Sequence, residues 1–224
     1  TPMSEHQIPN TPSAYEFPLL IRHLLSRLPA QHAGQQIISI GNLRFTYSEF
    51  FNRIQRLASG LQGLGIGPGD TVAVMDWDTH RYLECFFAVP MIGAVLHTIN
   101  IRLAPEQILY TINHAADTAL LVHDDFAPLL KGFKGKTPTV KKIVRLCDAG
   151  AERDAATAVA FDSEYENLLN GASSSFDPPD FSENIRATTF YTTGTTGNPK
   201  GVYFSQRQIV LHTLGVAVGL SSAA

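Results

Sequence analysis

The sequence is short of cysteine, of charge and of long hydrophobic runs. Two cysteines in 224 residues, Cys85 and Cys147, cannot make a disulfide framework. Each lies in or beside an apolar pattern, so both are expected to be buried free thiols. The longest apolar stretch, 85–96, is interrupted by Pro90 and Gly93. It falls far below the roughly 18 residues a spanning helix needs, so no transmembrane segment is expected. Residues 1–18 lack the basic start and apolar middle of a signal peptide, which makes a cytoplasmic location the expectation. Charged residues are only 17% of the chain, with 17 Lys plus Arg against 20 Asp plus Glu and a formal net charge of -3. Neither a basic field for nucleic acid nor the charge excess of a disordered chain is present. The eight histidines are never three to five residues apart on one helix face, which removes the usual zinc spacings.

The chain is instead rich in core-forming residues: 44% are apolar, and 13 Phe and 7 Tyr are among them. At roughly 100 to 200 residues per domain, this is one large domain or two small ones. Leu20, Leu24 and Leu28, four apart, predict a helix over 17–28. Short apolar runs on either side of Gly41-Asn42 read as a hairpin. Thr46-Tyr47-Ser48-Glu49 is a capping box, followed by an apolar stripe of Phe50, Ile54, Leu57, Leu61 and Leu64 and a stop at Gly65. The glycines of 65–70 follow a helix and have the wrong spacing for a dinucleotide fingerprint, so they read as a turn.

Strands at 71–75, 94–98 and 119–123 then alternate with helices at 79–89 and 105–115. A short helix at 126–130 and a strand at 141–146 follow. This alternation predicts an α/β fold, a mostly parallel sheet flanked by helices. Residues 148–180 turn Ala-, Ser-, Asp- and Pro-rich around a small helix at 165–169. They place a boundary between a first α/β subdomain, 1–180, and the start of a second, 181–224. Asp76 and Asp78 read as turn and N-cap residues, Trp77 as local packing, and His80, His97 and His114 as structural.

The chemistry is concentrated near the end. A strand at 187–191 runs into Thr192-Thr193-Gly194-Thr195-Thr196-Gly197-Asn198-Pro199-Lys200-Gly201, and Ser205-Gln206-Arg207-Gln208 opens a last helix with a second capping box. Phosphate oxygens need donors at close range, and glycines let backbone N–H groups approach. Threonine hydroxyls add donors or a magnesium ligand, and Lys200 adds positive charge. The expected arrangement is strand, phosphate loop, helix. From the residues alone a solvated turn is the other reading, since Gly/Thr loops are common and the spacing differs from a P-loop.

The stretch from Tyr191 to Val202 closely resembles the ATP-binding signature of the adenylate-forming superfamily, which includes acyl-CoA synthetases, firefly luciferase and peptide-synthetase adenylation domains. The resemblance extends to 44–49 and 64–73, and 75–103 is similar to the fatty-acid and medium-chain acyl-CoA ligase branch. Thr193 stands where many members have serine. Gln206 stands where many acyl-CoA ligases have histidine, so no role is carried over to it.

The resemblance implies ATP- and Mg2+-dependent conversion of a carboxylic acid, of the fatty-acid class, to an acyl-adenylate and then a coenzyme A thioester. It implies Thr192, Thr193, Gly194, Thr195, Thr196, Gly197, Lys200 and Gly201 as the ATP phosphate site. Thr192 would be the magnesium-linked hydroxyl, Thr195 and Thr196 phosphate donors, and Lys200 the neutralising charge. The partners are then ATP, a carboxylic or fatty acid and coenzyme A, with no nucleic acid and a homodimer as an admissible assembly. Family members are much longer, with the remaining pockets beyond the loop helix, so the chain reads as a truncated N-terminal domain, inactive alone. The alternatives are a non-catalytic fragment that keeps only the loop, and a ligase for a short, aryl or sulfur-containing acid. The last helix is expected to expose Ile209, Leu211, Leu214, Val216 and Val218 and to make the piece poorly soluble.

Overall fold

Proline divides the first helical segment. The expected helix over 17–28 is replaced by two single turns, α1 (Arg22–Leu25) and α2 (Leu28–Gln31). Pro29 has no N–H to carry one turn into the other. In this computed structural model, residues 11–14, 17–26, 28–39, 43–148, 159–192 and 197–221 are described. Strands β1 (Gln36–Ile38) and β2 (Arg44–Thr46) pair antiparallel, as a hairpin requires. The expected turn residues Gly41 and Asn42 lie outside the described residues.

Helix α3 (Tyr47–Gly63) begins as its capping box dictates. Thr46 N donates to Glu49 Oε2 at 2.7 Å, and Glu49 N donates to Thr46 Oγ1 at 3.2 Å. Its end is a Schellman closure, with Ile66 N to Leu61 O at 3.1 Å and Gly65 N to Gln62 O at 2.8 Å. Between them, Phe50, Ile54, Leu57 and Leu61 are buried on one face.

The rest of the chain builds one sheet. In chain order come β3 (Thr71–Met75), α4 (His80–Met91), β4 (Val95–Thr98), α5 (Pro105–His114), β5 (Ala119–His123), α6 (Ala127–Phe133), β6 (Lys142–Leu146), β7 (Ser163–Glu164), α7 (Tyr165–Asn170), β8 (Arg186–Thr192), β9 (Lys200–Ser205) and α8 (Gln206–Ser221). The strand order is β7-β6-β5-β3-β4-β8-β9. Every neighbouring pair is parallel except β8 with β9. The α/β reading therefore holds, and two strands, β7 and β9, are additions to it. The sheet runs on across residue 180, since β8 pairs directly with β4.

The pleat sends alternate residues to two cores. Val72, Val74, Leu96 and Leu121 meet α3, α4 and α7, while Ala73, Met75, Leu120 and Val122 meet α5 and α6. Covered on both faces, β3 and β5 are buried along their whole length, as parallel strands of this kind are.

A buried ionic cluster joins the three helices of the first face. The Glu84 side chain is fully buried and meets Arg53 Nε at 2.6 Å and the Tyr165 hydroxyl at 2.6 Å. Arg53 reaches on to Glu166 at 2.7 Å. Burial raises the Glu84 carboxyl, and the Arg53 and Tyr165 hydrogen bonds counter it. Cys85 is buried as expected. Cys147 is only half-buried, and both thiols are free.

Candidate phosphate-binding site

Strand β8 runs parallel to β3 and β4, so its last residue, Thr192, lies at the carboxyl edge of the sheet with Met75 and Thr98. Open α/β sheets bind their ligands along this edge. The chain then turns back as β9, with Thr192 opposite Lys200 and Tyr191 opposite Gly201. This corrects the expected order of strand, loop and helix: the loop is the tip of an antiparallel hairpin, and α8 starts six residues later. The physical reason lies in Val202, Tyr203 and Phe204, β-branched and aromatic residues that suit a pleated edge.

Of the expected site residues, Thr192, Gly197, Lys200 and Gly201 are described, and Thr193, Gly194, Thr195 and Thr196 lie outside the described residues. Thr192 and Lys200 are both solvent-exposed and side by side across the hairpin, so a hydroxyl and an ammonium share one rim. Gly197 has φ +97, which favours glycine there. At Gly201 the reason is space: a Cβ would meet the Tyr191 ring at 3.3 Å.

Beneath the hairpin lies a set of contacts that the sequence did not announce. Tyr191 is 8% exposed, and its hydroxyl is 2.8 Å from His114 Nδ1. Its ring centroid is 5.2 Å from that of His97. His97 Nδ1 faces the Asp117 carboxylate at 2.8 and 3.1 Å, and both residues are fully buried. Burial pushes the Asp117 carboxyl up to about 6, against the pull of His97. His97 and His114 are structural as expected, but their partners are 20 and 77 residues away in sequence.

Other side chains also acquire partners. Gln206, left without a role above, is buried; its Oε1 accepts from Ile21 N at 3.0 Å and its Nε2 donates to Pro90 O at 2.9 Å. It fastens the start of α8 to two other segments. The second capping box forms between Ser205 and Gln208 at 2.9 and 3.2 Å. Asp76 is more than a turn residue: it is buried, accepts from the Thr79 hydroxyl at 2.5 Å and lies 3.5 Å from the buried Arg81. Arg81 thus sits beside Asp76 below the carboxyl edge, where β3 ends. Trp77 packs on Phe126, and its Nε1 also donates to Asp125 at 2.7 Å. Burial lowers His80 to about 4, with the charges of Arg53 and Arg81 acting in the same direction, so it is neutral at pH 7.

On the opposite face of β8 an apolar groove of about 670 Å³ is lined by Leu24, Phe86, Phe87, Phe190, Phe204 and Ile209, among others. Beyond it α8 exposes Leu211, Leu214, Val216 and Val218, as expected, with Leu214 at 49% and Val218 at 68%. Ile209 is an exception, being partly buried against α1. No helix among the described residues is long and apolar enough to cross a membrane.

Residues 26–222 match the family described as AMP-binding enzyme. A long-chain-fatty-acid–CoA ligase of Thermus thermophilus is 41% identical over 175 residues, which cover 78% of this chain and 30% of the ligase. A 3-methylmercaptopropionyl-CoA ligase of Ruegeria pomeroyi is 37% identical over 204 residues, 88% of this chain and 37% of that protein. The crystal structure of a long-chain-fatty-acid-CoA ligase from Archaeoglobus fulgidus superposes with a TM-score of 0.78 at 21% identity, covering 97% of this chain and 42% of that one. At that identity the superposition speaks for the fold. The chain spans between 30% and 42% of the length of these three proteins.

Proposed function

This chain belongs to the AMP-binding enzyme family, and from that premise we propose that the whole protein activates a carboxylic acid with ATP and transfers it to coenzyme A. A carboxylate oxygen attacks the α-phosphorus of ATP. The bond from that phosphorus to the oxygen bridging to the β-phosphate breaks, and pyrophosphate leaves with the bonding pair. The coenzyme A thiol, giving up its proton, then attacks the acyl carbonyl, and AMP departs. The observation that carries this reading is the pairing of Thr192 with Lys200 at the rim of the glycine-threonine hairpin, on the carboxyl edge of a parallel sheet.

In this reading the hairpin acts on the leaving group. Lys200 offers charge to the departing pyrophosphate, and Thr192 and the loop N–H groups offer donors. Thr192 is also a hard oxygen donor fit for magnesium. Among the described residues no group of three His, Cys, Asp or Glu offers an alternative cage. Magnesium, where bound, supplies further charge at the phosphate oxygens.

The test is carboxylate-dependent ATP–pyrophosphate exchange. In the whole protein, Lys200→Ala should lower it by about 10² to 10³, the usual loss for one preorganised donor. Near wild-type exchange would sink the assignment. The 224-residue chain alone is expected to bind phosphate without turnover, and robust exchange by it would overturn that expectation. The acid is assigned to the fatty class on the similarity to the Thermus ligase, with a sulfur-containing acid as the second reading on the similarity to the Ruegeria ligase. A panel of fatty and thioether acids, compared by kcat/KM, separates them.

A further inference from the structure

We propose that His114, acting through Tyr191, is a positioning residue for the phosphate hairpin, an inference that rests on the loop's proposed role. Helix α5 ends in a Schellman turn, with Asp117 N to Ile112 O at 3.1 Å and Ala116 N to Asn113 O at 3.1 Å. The left-handed position of that turn, φ 55, is filled by Ala116 where glycine would be relaxed. A strained turn persists only where its surroundings hold it. On either side of it stand the two residues that reach towards the root of the hairpin. His114 meets the Tyr191 hydroxyl at 2.8 Å, and Asp117 holds His97, whose ring lies against Tyr191.

Tyr191 is well placed to pass this constraint on. It forms the second hairpin pair from the loop, opposite Gly201, and its ring lies close over that glycine, so that an added Cβ would press on it at 3.3 Å. One register position further on are Thr192 and Lys200. Fixing Tyr191 both at its ring, against His97, and at its hydroxyl therefore fixes the strand crossing that presents the hydroxyl and the ammonium. His97 Nε2 is buried without a hydrogen-bond partner. That ring is a rigid spacer between Asp117 and Tyr191. His114 is exposed, so its replacement removes the hydrogen bond without opening the core.

The experiment compares the 224-residue chain with Tyr191→Phe, His114→Ala, His114→Asn, the Tyr191→Phe/His114→Ala double variant and Lys200→Ala. The readouts are amide hydrogen exchange, thermal melting and binding of inorganic pyrophosphate with magnesium. Tyr191→Phe and His114→Ala should each raise exchange in 200–202 by about 2- to 10-fold, the equilibrium equivalent of one ordinary hydrogen bond, and weaken pyrophosphate binding by a similar factor. Exchange in β3 and β5 should rise by no more than the same factor, and the melting temperature should fall by no more than a few degrees. The double variant should be no worse than either single one, and His114→Asn should restore both readouts, because its amide reaches where Nδ1 stood. Unchanged exchange at 200–202, or a rise in β3 and β5 larger than that at 200–202, would overturn the proposal. If Lys200→Ala weakens pyrophosphate binding while His114→Ala does not, positioning fails and the phosphate reading stands. If the parent chain takes up no pyrophosphate, or Lys200→Ala binds it equally well, the phosphate reading fails and the positioning role falls with it.

Discussion

Strand β3 buries all five of its residues, whereas β9, at the edge of the same sheet, buries none of its six. The first lies under helices on both faces, and its contacts are dispersion and the removal of apolar surface from water. The second is held by the ladder to β8, by the Tyr191–His114 contact and by Gln206 fastening the helix that follows. The difference teaches that the outer strand beside the candidate motif depends more on directional polar contacts, each worth about 1 kcal/mol, than on bulk burial. The proposed phosphate site needs solvent access for Thr192 and Lys200, and that access is incompatible with the double cover of β3.

The comparison breaks first if the covered half proves insensitive to its buried charges. Arg53→Ala leaves Glu84 without its cationic partner among apolar neighbours, and urea unfolding should record a loss of about 3 to 5 kcal/mol. A loss below about 1 kcal/mol would mean that water reaches Glu84. The second prediction lies at the seam between the halves. Burial raises Asp117 from 3.8 to about 6, so the folded chain keeps a proton that the unfolded chain has released. Its contribution is fully present below the unfolded value of 3.8 and is lost as pH rises through about 6. Asp117→Asn abolishes that titration. Its stability relative to the parent should therefore climb by about 1 to 3 kcal/mol from pH ~4 to ~7, and a flat difference would exclude Asp117 as the titrating group. The smallest effect is expected at the open edge. Leu214→Ser on exposed α8 should change stability by no more than about 0.5 kcal/mol while improving solubility, as light scattering can record. A large destabilisation would show that α8 is packed after all.

Much of the covered half was legible in the sequence because its signals are local. The Thr46–Glu49 box spans one helical turn, and 71–75 and 119–123 are apolar runs between turn residues, so their bounds could be read closely. Strand β9 was missed because its first residues, Lys200 and Gly201, look like loop chemistry, and its strand character appears only from Val202 onward. Within the candidate site, residue types were legible: hydroxyls, glycines and a lysine. Their support was not, because Tyr191 has no meaning for His114 until β8 lies beside β4 and α5 crosses the same face.

Composition and periodicity by themselves determined the α/β class, the capped start of α3, and the absence of a disulfide framework, and they marked the glycine-threonine stretch as a candidate site. Each follows from residues within a few positions of one another. Tertiary structure alone decided that the loop is the tip of a hairpin, that Arg53 bridges Glu84 and Glu166, and that Gln206 joins three segments. Those outcomes depend on which strands become neighbours. That choice is made by the burial of whole faces, and residues 113 or 185 positions apart meet only when it has been made.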